Sequence, residues 1–440
     1  MPAPATPHLL PKGFHVLIAA QFCSALADNA LLIVCIALLL ERGLPGWWAP
    51  MLKFCFTIAY VVLAPFVGDL ADAVPKGRLM MAMNGVKVMG VLALLAGLNP
   101  LLALAVVGVG AAAYAPAKYG LVTELVAPRL LVAANGWIEV TTVCAAVFGV
   151  ALGGLLISPW LAAAFSAWFA PLAPAAAAAA AAVTADSAWT PGTLALCLLL
   201  ALYAAAAALN LGIPDSGACY ARQDRRLTAM AAGFWRAQRR LWADDLGALS
   251  MAVTTLFWGA AAVLQFAVLR WATEVLGLPL NQGAYLQAAV AVGIVAGAVG
   301  AGRWVSLAQA HRVLPLGVLM GVAVPVAAQV GVWWLAVPAL LLVGALGGAL
   351  VVPLNALLQH RGHLLLSAGR SVAVQNFNEN ASVLLMLGVY AGLLVLQLPV
   401  RTLMSGLGLL VGLCMALLCW HRARLRPAAV ATVCATTPPA

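Results

Sequence analysis

The sequence predicts an all-α membrane protein with twelve transmembrane helices in two six-helix bundles, and three observations carry that prediction. Of the 440 residues, 65% are hydrophobic and only 8% charged, whereas a soluble domain carries about 25% charged residues. Uninterrupted apolar stretches recur from residue 14 to residue 420, each close to the roughly 20 residues a helix needs to cross the hydrocarbon. Because those stretches do not alternate apolar with polar residues, they form helices and not barrel strands. The third observation is how the net charge of +10 is distributed. With the N-terminus in the cytoplasm, 17 of the 23 Lys and Arg fall in cytoplasmic segments and only Arg42 and Arg401 fall outside. The positive-inside rule demands that asymmetry, and a count shifted by one helix destroys it. The charge is therefore a topology signal and not a nucleic-acid footprint.

In chain order the expected spans are 14–40, 49–70, 79–98, 101–126, 132–157, 192–213, 249–274, 284–302, 313–334, 336–358, 372–396 and 401–420. The first is longer than the roughly 7–15 apolar residues of a signal peptide and carries Asp28 at its middle, so it reads as a retained span. Six spans make an N-terminal bundle over 1–213, within which 159–190 reads as an Ala- and Pro-rich periplasmic insertion. Residues 214–248 read as a cytoplasmic linker. Its basic, Trp-containing segment Phe234–Trp242 has two open readings, a stretch lying on the anionic inner leaflet or a plain solvated loop. The remaining six spans make a C-terminal bundle over 249–420, followed by a cytoplasmic tail over 421–440. An internal repeat fits this division. Val132-Ala-Ala-Asn-Gly-Trp-Ile-Glu139 lines up with Val372-Ala-Val-Gln-Asn-Phe-Asn-Glu379 at an offset of 240 residues, each opening an odd-numbered span, so the halves run parallel.

A charged group in lipid costs several kcal/mol unless it faces a cavity or a partner. Asp28, with Asn29 beside it, lies near the centre of the first span, too deep to reach the membrane surface. It must face an aqueous cavity, pair with a cation or carry a proton; a substrate, coupling or gating role is the expectation and a structural salt bridge its rival. Lys118 follows Tyr114-Ala-Pro116-Ala in the fourth span, where Pro116 frees a carbonyl one turn earlier. Glu139 and Glu379 lie at a comparable depth in the fifth and eleventh spans, so a Lys118–Glu139 ion pair is one expectation and a latch without substrate contact another. Glu379 also stands in the polar run Gln375-Asn376-Phe377-Asn378-Glu379-Asn380, which needs a wet or hydrogen-bonded face. Lys87 is a weaker candidate, while Lys53 and Arg270 sit near periplasmic ends and read as snorkelling side chains. Gly293, Gly297 and Gly300 put small residues where helices can approach closely.

Enzymatic signatures are missing from the sequence. The nine cysteines are scattered singly, and His360 and His363 sit in a short basic loop, so no metal or other cofactor is expected. None of the six His is followed by Asp five positions on, which removes the H-x-x-x-x-D acyltransferase pairing, and no Ser/His/Asp constellation stands out.

The segment Gly68-Asp-Leu-Ala-Asp72-Ala-Val-Pro-Lys76-Gly77-Arg78 resembles the Gly-x-x-x-Asp…Gly-Arg loop motif of the major facilitator superfamily, with extra residues in the middle. There Asp72, at a helix terminus, would pair with Arg or Lys as a latch that breaks when the halves rock. Longer runs resemble the LplT lysophospholipid transporter family: Ala20-Gln-Phe-x-Ser24-Ala-x-x-Asp28-Asn29-Ala-Leu-Leu32, Tyr114-x-Pro-Ala-Lys118-Tyr-Gly120, Leu256-Phe-Trp-Gly-Ala260, Val351-Val-Pro-Leu-Asn355 and Ala373-Val-Gln-Asn376…Glu379-Asn380. The likeness covers nearly the whole chain apart from 159–190 and the two ends. It implies a facilitator fold working by alternating access in the bacterial inner membrane, with both termini cytoplasmic. It further implies inward flipping of lysophosphatidylethanolamine-type lipids for reacylation by an acyltransferase/acyl-ACP synthetase partner. Asp28, Asn29 and Lys118 match positions the family pattern marks as functional, and Glu139, Gln265, Asn355 and Glu379 complete the expected substrate-binding set. Gln265 is a departure, since the resemblance leads one to expect Arg there and the nearest cation on that span is Arg270. The rival reading is a proton-coupled exporter of amphiphilic drugs with Asp28 as the titrating carboxylate; a transport-inactive scaffold is a third.

Overall fold

A computed structural model describes residues 10–41, 43, 48–158, 160–161, 191–218, 220, 226–278 and 280–424 of the chain. Most of the expected 159–190 insertion and of the 421–440 tail lies outside the described residues. Among those residues the α-helices are α1 (Lys12–Glu41), α2 (Trp48–Ala73), α3 (Lys76–Leu95), α4 (Pro100–Leu125), α5 (Leu131–Leu156), α6 (Pro191–Leu211), α7 (Leu227–Trp242), α8 (Asp245–Glu274), α9 (Leu280–Trp304), α10 (Leu314–Gln329), α11 (Trp333–Leu365), α12 (Ala368–Val395) and α13 (Val400–Arg424). Among the described residues twelve helical spans are long and apolar enough to cross a membrane, that of α10 counted from Leu307. The remaining one, α7, carries the Phe234–Trp242 segment as an ordered amphipathic helix packed on the protein.

Local sequence explains the helix boundaries. The α3–α4 turn uses Gly97 at φ +89°, a conformation that only glycine adopts without strain. Asn99 then caps α4 by accepting the Leu101 N–H at 2.9 Å, with Pro100 at the first helical position. Asp244 does the same for α8, accepting the Gly247 N–H at 2.8 Å. Helix α4 runs on through Pro116, and α11 through Pro338 and Pro353.

Three apolar clusters show how the two halves pack. Leu31, Val34, Leu52, Leu104 and Leu199 form a core within α1–α6, and Val268, Trp271, Leu340 and Met404 form one within α8–α13. A third, larger core is shared: Leu17, Leu79, Leu121, Val132 and Ile138 pack with Val253, Ala298, Leu350 and Leu354. The helices of the two halves therefore join at one end, called the closed end here. Close approach also shapes the second half. A Cβ on Gly297 would lie 2.0 Å from the Ala345 carbonyl oxygen, and one on Gly293 would lie 2.2 Å from that of Leu341. Helices α9 and α11 are in backbone contact, as the small-residue spacing of the eighth span leads one to expect.

Candidate functional site

A cavity of about 210 Å³ lies within the first half, walled by Gln21, Ser24, Asp28, Asn29 and Leu32 of α1, Lys53, Phe56 and Tyr60 of α2, Lys87 of α3, Tyr114 and Lys118 of α4, and Thr142 of α5. On one side stands a buried polar cluster. The Lys87 ammonium donates to both Asp28 carboxylate oxygens, at 2.9 and 2.6 Å, and to the Ser24 hydroxyl at 2.9 Å. The Tyr203 hydroxyl donates to Asp28 Oδ1 at 2.7 Å, and Ser24 donates to Asn84 Oδ1 at 2.8 Å. Lys87 is 1% exposed, and the rings of Tyr114 and Tyr203 flank its ammonium at 5.3 and 5.7 Å. Gly110 lets its stem pass, since a Cβ there would meet Lys87 Cγ at 2.9 Å.

The other cations of the cavity stand differently. Among the described residues neither Lys118 nor Lys53 forms an ion pair. Lys118 rests over the Tyr119 ring at 4.1 Å and Lys53 over Phe56 at 5.8 Å. Asp28 and Lys87 form a neutral pair, so Lys118 and Lys53 are the cations of the wall that stand without an ion-pair partner among the described residues. Hydrogen-bonding groups complete it. Asn29 donates to the Ala25 carbonyl at 2.8 Å, its own oxygen accepting nothing among the described residues, and Gln21 donates to Thr141 and Thr142 at 3.1 and 3.0 Å. This arrangement suits an anionic group with a hydrogen-bonding substituent beside it.

Polar contacts seal the closed end below this cavity. Asp72, at the end of α2, accepts the Gly369 N–H at 2.9 Å, the Arg370 N–H at 3.3 Å and the Ser367 hydroxyl. A carboxylate thus caps the N-terminus of α12 across the interface, favoured by the helix dipole. Asp69 pairs with Arg370, and Gly68 meets α12 so closely that a Cβ would lie 2.9 Å from the Arg370 Cα. Asn135 and Gln359 exchange two amide hydrogen bonds of 3.0 Å between the halves. Lys76 pairs with Glu124 at 2.6 Å, and Glu124 also accepts from the Ser216 and Tyr220 hydroxyls at 2.6 Å each. Burial first, and then the hydrogen bond and charge of Glu124, push the Tyr220 phenol above its ordinary pKa, so it stays a donor.

Of the residues singled out from the sequence, Asp28, Asn29 and Lys118 meet in one cavity. Lys53, read as a snorkelling side chain, lines it too, and Lys87, ranked as weaker, is the partner of Asp28. Lys118 and Glu139 form no ion pair among the described residues. Glu139 and Glu379 are 6% and 9% exposed and stand outside the cavity wall. Gln375 links Glu379 to Asn355, donating to them at 2.8 and 2.9 Å. Gln265 is exposed on α8, where its carbonyl accepts from Gln287 at 2.7 Å, and Arg270 pairs with Glu274. Gly68 and Asp72 form the contact between the halves. Gly77 packs near Ile213 instead and Arg78 is exposed; the cation within reach of the Asp72 carboxylate is Lys76, at 4.0 Å, while Arg370 of the opposite half pairs with Asp69. Tyr203 escaped sequence reasoning altogether.

Comparison with known proteins agrees with this architecture. The Major Facilitator Superfamily model matches residues 17–365. The "Lysophospholipid transporter LplT" of Cronobacter sakazakii is 41% identical over 406 residues, covering 91% of this chain and 94% of the relative. The protein of that name from Yersinia pestis is 41% identical over 393 residues, 89% of each chain. Among solved structures, a bacterial homologue of the iron transporter ferroportin in an outward-facing state superposes with a TM-score of 0.69 at 16% identity, covering 94% of this chain and all of that one. The E. coli fucose:proton symporter FucP gives 0.66 at 14%, covering 94% and 98%. At such identities these structures support the fold alone. A 41% identity along nearly the full chain supports more, and the chain belongs to the LplT family of transporters within the major facilitator superfamily.

Proposed function

We propose that this chain carries lysophospholipids of the lysophosphatidylethanolamine type inward across the bacterial inner membrane by alternating access. The observation that carries the reading is the cavity wall, where Lys118 and Lys53 present ammonium groups without carboxylate partners among the described residues. A phosphodiester is the lipid group that needs such donors, and ammonium groups in a low-dielectric pocket hold it as point charges. The headgroup amine finds acceptors in the Asn29 carbonyl and the accessible edge of Asp28, whose side chain is 16% exposed. At about 210 Å³ the cavity is below the roughly 300–1,000 Å³ of pockets that enclose a whole drug-sized ligand. It suits a headgroup whose single acyl chain stays in lipid.

The closed end carries Arg370, Arg361, Lys76 and the α7 arginines, which supports a cytoplasmic placement of that end and of both termini. The cavity then loads from the outer leaflet, and opening the closed end delivers the lysolipid to the inner one. An acyltransferase/acyl-ACP synthetase is the functional partner this direction calls for. Engagement of Asp28 by Lys87 and Tyr203 favours this reading over a drug exporter that titrates a free Asp28. The test is uptake of lysophosphatidylethanolamine by cells lacking other importers. Wild-type chain restores it and Lys118→Ala, matched for expression, does not; equal uptake by both removes the cavity from the account.

A further inference from the structure

Helix α7 has two faces, and transport chemistry accounts for neither. Its inner face buries Phe234, Ala237 and Leu241 against Ala64 of α2 and against Met251, Leu358 and Val374 of the second half. Gln238 and Asn378 exchange two amide hydrogen bonds of 2.9 Å, and Trp235 sets its ring edge against Phe377 at 5.8 Å. The helix thus braces the place where the halves meet.

Its outer face is the unusual one. Trp235 and Trp242, seven residues apart and hence on one side of the helix, are 51% and 39% exposed. Arg239 lies between them, and Arg236 and Arg240 lie further round, all three exposed. Among the described residues none of these arginines forms an ion pair. Nearby Asp244 is occupied, since Arg361 pairs with it.

We infer that the outer face of α7 is a docking surface for anionic phospholipid headgroups of the leaflet at the closed end, and that lipid bound there holds that end shut. The inference rests on the cytoplasmic placement proposed above. Guanidinium forks match phosphate oxygens, and indoles at the depth of the headgroups hold an amphipathic helix in the interface. An acidic protein would use the three arginines and leave the exposed faces of Trp235 and Trp242 without a role. Because α7 contacts both halves, opening the closed end must pull it from Ala64 or from the second half. Lipid that pins the helix raises the barrier to that step.

The experiment uses full-length protein in neutral detergent, supplemented with dioleoylphosphatidylglycerol or dioleoylphosphatidylcholine, with retained lipid counted by native mass spectrometry. Wild type should retain the anionic lipid in preference to the zwitterionic one. R236Q/R239Q/R240Q should lower that preference by up to roughly 10²-fold, at about fivefold per arginine, with its melting temperature in the zwitterionic lipid unchanged. The single Arg239→Gln guards against misfolding of the triple variant and should lose about fivefold. R236K/R239K/R240K keeps the charge and should keep most of the preference. Retention of the anionic lipid by the triple variant at wild-type level would overturn the proposal. So would a wild type that holds both lipids equally, which would leave the arginines to an acidic protein. Movement of lysophosphatidylethanolamine, followed in zwitterionic liposomes, reports separately on the transport reading.

Discussion

Lys87→Met removes the ammonium bonded to Asp28 while nearly preserving the length of the side chain, so it isolates the worth of one buried charge pair. Breaking a buried pair from one side costs about 3–5 kcal/mol, because the other charge is left without compensation. For Lys87→Met the stranded group is Asp28, whose side chain is 16% exposed to the cavity and keeps the Tyr203 bond of 2.7 Å. That places the loss at the low end, about 3 kcal/mol. Asp28→Asn strands Lys87, which is 1% exposed and retains Ser24 at 2.9 Å, so its loss falls at the upper end, about 4–5 kcal/mol. D28N/K87M removes both charges and strands neither ion, leaving only the Asn amide to bury, so about 2 kcal/mol is expected. The coupling is then about 5–6 kcal/mol. Denaturant unfolding of the four proteins in one detergent, read from the labelling of Cys35, which is 0% exposed, measures it. A double variant as unstable as the two single losses added together would refute the pairing, as would Lys87→Met with wild-type stability.

Other outcomes follow from the same geometry. Tyr203→Phe deletes one hydrogen bond to a carboxylate and should cost about 1.5–3 kcal/mol in the same unfolding assay. Asp72→Asn weakens the cap on α12 by about 1.4 kcal/mol, which should raise maleimide labelling of a cysteine placed at Ala373 about tenfold; unchanged labelling would remove Asp72 from the closure. Gly297→Val drives a side chain into the Ala345 carbonyl, where a Cβ already lies at 2.0 Å, and should abolish folded protein in detergent extracts. Gly406→Val, where a Cβ meets nothing within 4 Å, should accumulate normally. Lys118→Arg should impair transport, because a wide guanidinium cannot replace a compact ammonium over Tyr119 without repacking, and full activity would mark Lys118 as a spectator.

Fold and site were unequally legible in the sequence. Apolar length and basic asymmetry identify the spans because the bilayer imposes both, and the facilitator resemblance orders them. Depth in a span identified Asp28 as a residue that must have a partner. Nothing in the sequence said that the partner is Lys87, 59 residues away, since choosing between Lys87 and Lys118 requires the helix rotations that packing alone sets. Tyr203 is silent for the same reason: a tyrosine in an apolar helix carries no charge to mark it. Gly68 and Asp72 were visible through their spacing. Arg78 is exposed instead, because Asp72 caps a helix of the opposite half with Lys76 4.0 Å away, and the arginine of that helix, Arg370, pairs with Asp69. For α7, the apolar positions Phe234, Ala237 and Leu241 recur at helical spacing, and that signal separates the packed helix from a solvated loop.

Leaflet-resolved transport tests the central claim most directly. Purified protein is reconstituted in liposomes, labelled lysophosphatidylethanolamine or its diacyl counterpart is placed in the outer leaflet, and albumin extracts whatever remains there over time. Protein-dependent loss of extractable lysolipid is expected, abolished by Lys118→Ala, while the diacyl lipid stays outside because a second chain would have to cross the polar cavity. Equal protection of both lipids, or none of the lysolipid by wild-type protein, would contradict it.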